Sequence, residues 1–336
     1  VTMIQEGKKL TMDDVAKELG VSKTTVSRAV SGKGRIGEQT RQRVLEYISQ
    51  HNYKPNVMAK GLANQRTYNI GMVLQADLLS SDLPFFPKAL KGISEVAARE
   101  EYDVIMTLID TNDLSRLVRV IENNKVDGMI LMRTLQDDKP AQMLKKSGIP
   151  FVTLGLSDDP DICQVDNDHV DACRELTSIL LLKGLKKIAV VSGDMNHVIN
   201  RKRLEGFYQA HKDLGIPYDE SLIFTDVDSQ MFAARAADRI RMRNVNCIIG
   251  ADDLITSYLL KKLEEEQVRI PEDMRLASFH DSQLLTSAKT SVTAIKFNTE
   301  ELGREACKVL LHQIRGEEAA HVTKLSYEVA MRESTK

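Results

Sequence analysis

The stretch TMDDVAKELGVSKTTVSRAV, from Thr11 to Val30, constrains the fold more than any other part of this 336-residue chain. Thr11 is placed to cap a first helix, Asp14 three residues on can return the bond in a capping box, and Val15, Ala16 and Leu19 recur at helical spacing. Gly20 ends that helix. Ser22 caps a second helix over 23–30, with Val26 and Val30 pointing inward and Lys23, Thr24, Thr25, Ser27 and Arg28 forming a short polar, cationic outer face. A third helix is expected from about Glu38 to His51, turning Val44 and Ile48 toward the first two with Tyr47 alongside. Three short helices around one small core make a helix-turn-helix. Hydroxyls, one Lys and one Arg on the second helix suit the base-edge acceptors, methyl groups and phosphates of a DNA major groove. Taken alone, the pattern also fits an amphipathic helical hairpin with no nucleic-acid role.

Charge is divided along the chain in the same sense. The first 66 residues have a net charge of +6 and the remainder −8, a contrast hidden in the total of −2. One end is a polycation suited to phosphates. Gly32, Gly34 and Gly37 in GKGRIG satisfy G-x-G-x-x-G, but a dinucleotide site needs a strand before that loop, and here a helix precedes it. The loop reads instead as one whose amides, with Lys33 and Arg35, approach the phosphate backbone.

From Asn52 to Ala63 the chain reads NYKPNVMAKGLA. With the preceding TMDDVAKELGVSKTTVSRAVSG, the later LASFHDS and the final VAMREST, it resembles the lac-repressor (LacI/GalR) family of bacterial transcription regulators over nearly its whole length. The resemblance implies a hinge that becomes a helix on the operator, two copies lying in the minor groove. Leu62 matches the family's apolar wedge, which kinks the duplex at a cost of a few kcal/mol per step; a buried linker leucine is the alternative. It also implies DNA contact by Thr11, Ser22, Lys33, Tyr53, Asn56 and Ala59. Gly61 departs from the good helix formers usual at its position, weakening a hinge helix by up to roughly 1 kcal/mol against Ala.

Beyond Gln65 apolar runs alternate with helical stretches. Tyr68 to Leu74, Val104 to Ile109, Gly128 to Met132 and Phe151 to Leu154 read as buried parallel strands, with helices from Pro87 to Glu100, Leu114 to Asn123 and Pro140 to Ser147. After a crossing near Val165 to Asp168, strands near Lys187 to Val191, Leu222 to Thr225, Cys247 to Gly250 and Arg275 to Phe279 form a second series. Thr293 to Phe297, a helix from Thr299 to Arg315 and one last strand near Leu325 to Arg332 complete the chain. The fold expected is an N-terminal all-α helix-turn-helix headpiece plus an α/β core of two doubly wound lobes. The resemblance makes that core periplasmic-binding-protein-like, with three crossings. The expected divisions are a flexible start (1–9), headpiece (10–54), hinge and linker (55–66) and core (67–336). Within the core, one lobe takes about 67–167 and 299–326, the other about 168–298 and 327–336.

Ligands of such cores lie between the lobes at the carboxyl ends of the strands. By resemblance, Phe85 and Phe86 in DLPFF match an aromatic clamp suited to a sugar or base face, or else are core phenylalanines that start a helix. Arg203 in RLEGF matches an effector arginine able to grip vicinal hydroxyls, a surface arginine being the alternative. Asp252 in GADD matches another polar contact. Asp166, at the first crossing, reads equally as ligand contact or hinge cap. Where many relatives have an aspartate, this chain has His280 followed by Asp281, and Gly155 replaces another. Fewer acceptors suggest a differently hydroxylated sugar, a disaccharide, or a sugar whose anionic group meets His197 and His280.

Enzymatic chemistry finds no motif. The seven histidines lack H-E-x-x-H spacing, and neither G-x-S-x-G nor a P-loop occurs. Asp158–Asp159 and Asp252–Asp253 read as helix starts and turns, not catalytic dyads. No cofactor or metal is expected. Cys163, Cys173, Cys247 and Cys307 sit among apolar neighbours without C-x-x-C spacing and read as reduced core cysteines. No apolar run is long enough for a membrane span and none at the start resembles a signal peptide, so a cytoplasmic protein, nucleoid-associated when bound to its operator, is expected. The expected partners are pseudo-palindromic operator DNA, a small effector, by family precedent a sugar, and a second copy of the chain. The sequence ends at MRESTK without a heptad tail, pointing to a dimer. The alternatives are a nucleoside- or protein-corepressor-dependent regulator, or a sugar-binding protein without DNA function.

Overall fold

The computed structural model describes residues 10–32, 34–51, 53, 61, 65–76, 85–110 and 113–336, in two compact units, Val1–Thr67 and Tyr68–Lys336. Lys33, Asn56, Ala59 and Leu62 lie outside the described residues.

In the first unit, helices α1 (Met12–Leu19), α2 (Lys23–Ser31) and α3 (Glu38–Gln50) surround a core of Val15, Ala16, Val26, Ala29, Val44 and Tyr53. The capping box at Thr11 forms: the Asp14 amide donates to Thr11 Oγ1 at 3.2 Å, and the Thr11 amide donates to Asp14 Oδ2 at 2.9 Å. Gly20 takes φ 63°, a left-handed turn that a side chain strains to enter. Thr11→Ala is expected to cost the headpiece about 1 kcal/mol, read as faster amide exchange across Met12–Leu19; unchanged protection would show that the box adds nothing. Ala29 rather than Val30 is the second fully buried residue of α2, since Val30 is only partly covered.

In the second unit, one sheet has strands β1 (Asn69–Gln75), β2 (Asp103–Ile109), β3 (Gly128–Leu131), β4 (Phe151–Leu154) and β5 (Cys163–Asn167), joined at its edge by β11 (Val322–Leu325). Its order is β11-β5-β4-β3-β1-β2, and every pairing is parallel. The other has β6 (Ile188–Val191), β7 (Ile223–Phe224), β8 (Cys247–Gly250), β9 (Arg275–Ser278), β10 (Thr293–Phe297) and β12 (Tyr327–Ala330), in the order β12-β10-β9-β8-β6-β7. Only β12 runs antiparallel, against β10. The single last strand expected from sequence is therefore two strands, one in each lobe, separated by Ser326 alone.

Helices α4 (Phe85–Arg99), α5 (Ser115–Glu122), α6 (Lys139–Ser147) and α12 (Thr299–Arg315) flank the first sheet. The second is flanked by α7 (His169–Leu182), α8 (Val198–Leu214), α9 (Gln230–Arg241) and α10 (Asp253–Glu265), with the short α11 (Gln283–Thr286). The chain passes between sheets after Asn167, after Phe297 and at Ser326. Asp168 and Asn298 cap the helices that begin beyond the first two passages, and Lys324 Nζ reaches Asp168 Oδ2 at 2.9 Å, tying the first to the third. In each sheet the strand order reverses beside its first strand, β1 or β6, which directs ligands to the carboxyl edge near those strands. No described helix is long and apolar enough to cross a membrane. The four cysteines are free, three of them buried, and burial pushes the Cys247 and Cys307 thiols up to about 12.

Candidate functional site

On the headpiece, Ser22 caps α2 through the Thr25 amide at 3.1 Å, and its hydroxyl lies 2.8 Å from that of Thr25. Lys23, Thr24, Ser27 and Arg28 are exposed on α2, with Thr25 half-buried. Lys23 pairs with Asp13 at 2.7 Å, but both side chains are more than half exposed, so DNA phosphates can compete for the ammonium at little cost. Tyr53 differs from expectation. It is only 7 % exposed and fills the headpiece core, because a large aromatic just past α3 covers an apolar surface that three short helices leave open.

In the core, the residues singled out between the lobes converge through their rings and charges. The Phe85 and Phe86 centroids lie 5.2 Å apart, and Phe85 lies 6.2 Å from His280. Phe297, at the carboxyl end of β10, stacks on His280 at 6.0 Å and meets His169 edge-on at 4.6 Å. His280 Nδ1 lies 3.1 Å from Asp253 Oδ1, and His169 Nε2 lies 3.2 Å from Asp166 Oδ1. Burial alone would raise Asp253, but hydrogen bonds, first that from His280, outweigh it and hold the carboxyl below its ordinary range. Burial lowers the His169 imidazole, with Asp166 opposing.

Arg203, on α8, is 5 % exposed and among the described residues makes no hydrogen bond or ion pair. A buried guanidinium without partners is costly unless something else fills the site. Asp252 caps α10, Oδ1 accepting from the Ile255 amide at 2.8 Å, while burial raises its carboxyl and the Arg203 charge opposes that. Its Oδ2 takes no part in that cap. Asn167 Oδ1 and His169 Nδ1 are likewise buried and unpartnered. Donors and acceptors left open beside aromatic rings suit a small polyhydroxylated ligand.

Three sequence-predicted contacts are committed elsewhere. Asp281 forms a bidentate pair with Arg332, at 2.8 and 2.5 Å, fastening β12 to the loop after β9. Asp166 accepts from the amides of Leu156 and Asn167, at 3.1 and 2.8 Å, as well as pairing with His169, so its oxygens are engaged as a clamp at the first crossing. His197 bridges the lobes: it pairs with Leu135 across an isolated β-bridge, and the adjacent Gln136 amide donates to Asn196 O at 2.9 Å. Burial and the nearby Arg133 charge pull its imidazole down to about 4, so at neutral pH it is uncharged and offers an anion no counter-charge. Protonation in the unfolded chain precedes that in the folded one, so the stability held above pH 6.5 is lost as pH falls toward 4, by roughly 3 kcal/mol at most. Melting the core across that window is expected to show this acid limb, and His197→Gln to flatten it; an identical limb in the variant would place the sensitivity elsewhere.

Phe297 and the His169 and Asp253 partnerships were missed in the sequence. Phe297 carried one signal, its place immediately before a crossing at a strand's carboxyl end. Gly155, which replaces an aspartate of some relatives, has φ 126°, and a Cβ there would sit 3.0 Å from Thr134 Oγ1, so this loop shape excludes a side chain. A separate surface hollow of about 380 Å³, lined by Met195, Leu204 and Tyr208 among others, includes none of the cluster. Among the described residues no group of His, Cys, Asp and Glu could hold a metal.

Residues 67–332 match the family described as periplasmic binding proteins and sugar binding domain of LacI family, and residues 11–56 match bacterial regulatory proteins, lacI family. The chain is 32 % identical over 315 residues to the HTH-type transcriptional regulator MalR of Streptococcus pneumoniae, covering 91 % of this chain and 93 % of that one. The structure of a transcriptional regulator CelR–cellobiose complex superposes with a TM-score of 0.73 at 26 % identity, covering 97 % of this chain and 99 % of the other. The lac repressor dimer bound to operator and an anti-inducer superposes at 0.81 with 23 % identity, over 98 % and 99 %, a likeness of fold.

Proposed function

Because the chain belongs to the lacI family of bacterial regulatory proteins, we propose that it is a homodimeric, operator-binding repressor of carbohydrate-utilisation genes whose DNA affinity is set by a sugar-like effector between its lobes. The family consists of DNA-binding transcriptional regulators, and its members here include regulators named for sugar metabolism. The carrying observation is Arg203, buried near Asp252 with no hydrogen bond or ion pair among the described residues, because vicinal hydroxyls satisfy such a guanidinium. Two headpieces presenting Lys23, Thr24, Thr25, Ser27 and Arg28 read two half-sites, with Thr11, Ser22, Lys33, Asn56 and Ala59 on the backbone and grooves and Leu62 as wedge. Effector binding shifts the lobes between arrangements and, through the hinge, the affinity for DNA. Such a regulator works in the cytoplasm, on the nucleoid when operator-bound.

Footprinting on DNA upstream of the gene tests this directly. Two symmetric protected half-sites are expected, with Leu62→Ala weakening protection at least about tenfold, the equivalent of 1.4 kcal/mol, while sugar binding persists. One protected half-site would contradict the dimer, and undiminished affinity of Leu62→Ala would remove the wedge.

A further inference from the structure

On the reading of the cleft as the effector site, we propose that Asp253 and His280 form a specificity pair in which Asp253 fixes the imidazole so that Nε2 accepts from one effector hydroxyl. Asp253 Oδ1 lies 3.1 Å from His280 Nδ1, and the two side chains are 5 % and 12 % exposed. An ionised carboxylate only accepts, so Nδ1 is the donor in that contact, and the lone pair of the singly protonated ring falls at Nε2. Among the described residues that nitrogen makes no hydrogen bond, and it is not sealed off, unlike Nδ1 of His169. Phe297 stacks against the ring with planes 24° apart and Phe85 stands at 6.2 Å, so ring and free nitrogen are held in one orientation at the aromatic cluster.

The charged and titratable groups around His280 are Asp252 and Asp253 on α10, Arg203 on α8 and His169 on α7. Arg203 supplies donors, and Nε2 supplies a single acceptor at that point. A carboxylate in the position of His280 would accept from two neighbouring hydroxyls; an imidazole nitrogen accepts from one. The effector class is therefore a sugar that offers one donor hydroxyl here, its neighbour absent, turned away or substituted. A site built around such a bond discriminates strongly against an analogue lacking the hydroxyl, because the nitrogen is then left unpaired.

Two measurements on the full chain decide this. Nitrogen-15 NMR of labelled histidines at pH 7.5 is expected to show His280 with a protonated Nδ1 and a lone-pair Nε2, an assignment lost in Asp253→Leu but kept in Asp253→Glu. The opposite tautomer in the parent chain would overturn the proposal without any ligand. Calorimetry with maltose and cellobiose at pH 7.5 is expected to show at least tenfold weaker binding in Asp253→Leu and recovery toward the parent affinity in Asp253→Glu. Undiminished binding in Asp253→Leu would overturn the proposal. If neither sugar binds, that result counts against the carbohydrate reading, and the tautomer alone judges the pair.

Discussion

Arg203→Met abolishes the effector response and leaves operator affinity within about threefold of the parent, since less than 0.7 kcal/mol is then at stake on the DNA side. Arg203, on α8, is 5 % exposed and among the described residues makes no hydrogen bond or ion pair, so its desolvation is offset only by nearby charge such as that of Asp252. Hydrogen bonds to a charged donor contribute roughly 1.5–3 kcal/mol each, and losing two lowers effector affinity by about 100-fold or more. Methionine fills similar volume without charge. The free core is therefore expected to melt at the same temperature or higher, as when a buried charge is replaced by a well-packed apolar side chain. A destabilised core with a normal sugar response would mean that Arg203 serves the fold and not the ligand.

Gly303→Ala lowers the melting temperature of the core by roughly 10 °C, corresponding to about 3 kcal/mol or more. Helices α4 and α12 cross with glycine on both sides. A Cβ on Gly303 would lie 2.1 Å from Ala89 O, and one on Gly92 would lie 2.0 Å from Glu300 O. Backbone carbonyls cannot rotate away as a side-chain tip can, so the helices must part. Parting them opens the packing of Leu302, Ala306 and Leu310 against the first sheet and disturbs Arg304, which Glu95, Glu300 and Glu301 hold at the same crossing. Gly148→Ala is the control: its φ is 73°, but nothing lies within 4 Å of the added carbon, so only backbone strain of about 1–2 kcal/mol is expected. Equal losses in the two variants would show that crowding at the helix crossing is not the cause.

Local chemistry made much of this architecture legible. The Thr11 capping box and the strands Phe151–Leu154, Cys247–Gly250 and Thr293–Phe297 fall where sequence pattern puts them, because caps and short apolar runs act over a few residues. Local pattern alone did not divide the last strand. Val322 to Ala330 is continuously strand-like, and only long-range pairing with β5 and then β10 assigns its halves to different sheets. The burial of Tyr53 and the use of Asp281 by Arg332 depend on partners near in sequence or 51 residues away, which residue type alone does not distinguish. His197 looked like a ligand to an anion, yet the meeting of two loops from different lobes buries it uncharged. The resemblance, and not local pattern, singled out Arg203 and His280 as candidates. Phe297 and the Asp253 partnership emerged only once three crossings brought the ends of separate strands together.

The most direct measurement is fluorescence anisotropy of the full chain on labelled DNA from upstream of its own gene, at fixed salt, with maltose, cellobiose and a panel of other mono- and disaccharides titrated into the complex. Tight binding to that DNA and release by one sugar, with at least a tenfold loss of affinity, is the predicted result. A complex that forms but that no sugar alters would contradict control by a carbohydrate between the lobes, and failure to bind any such DNA would contradict the repressor itself.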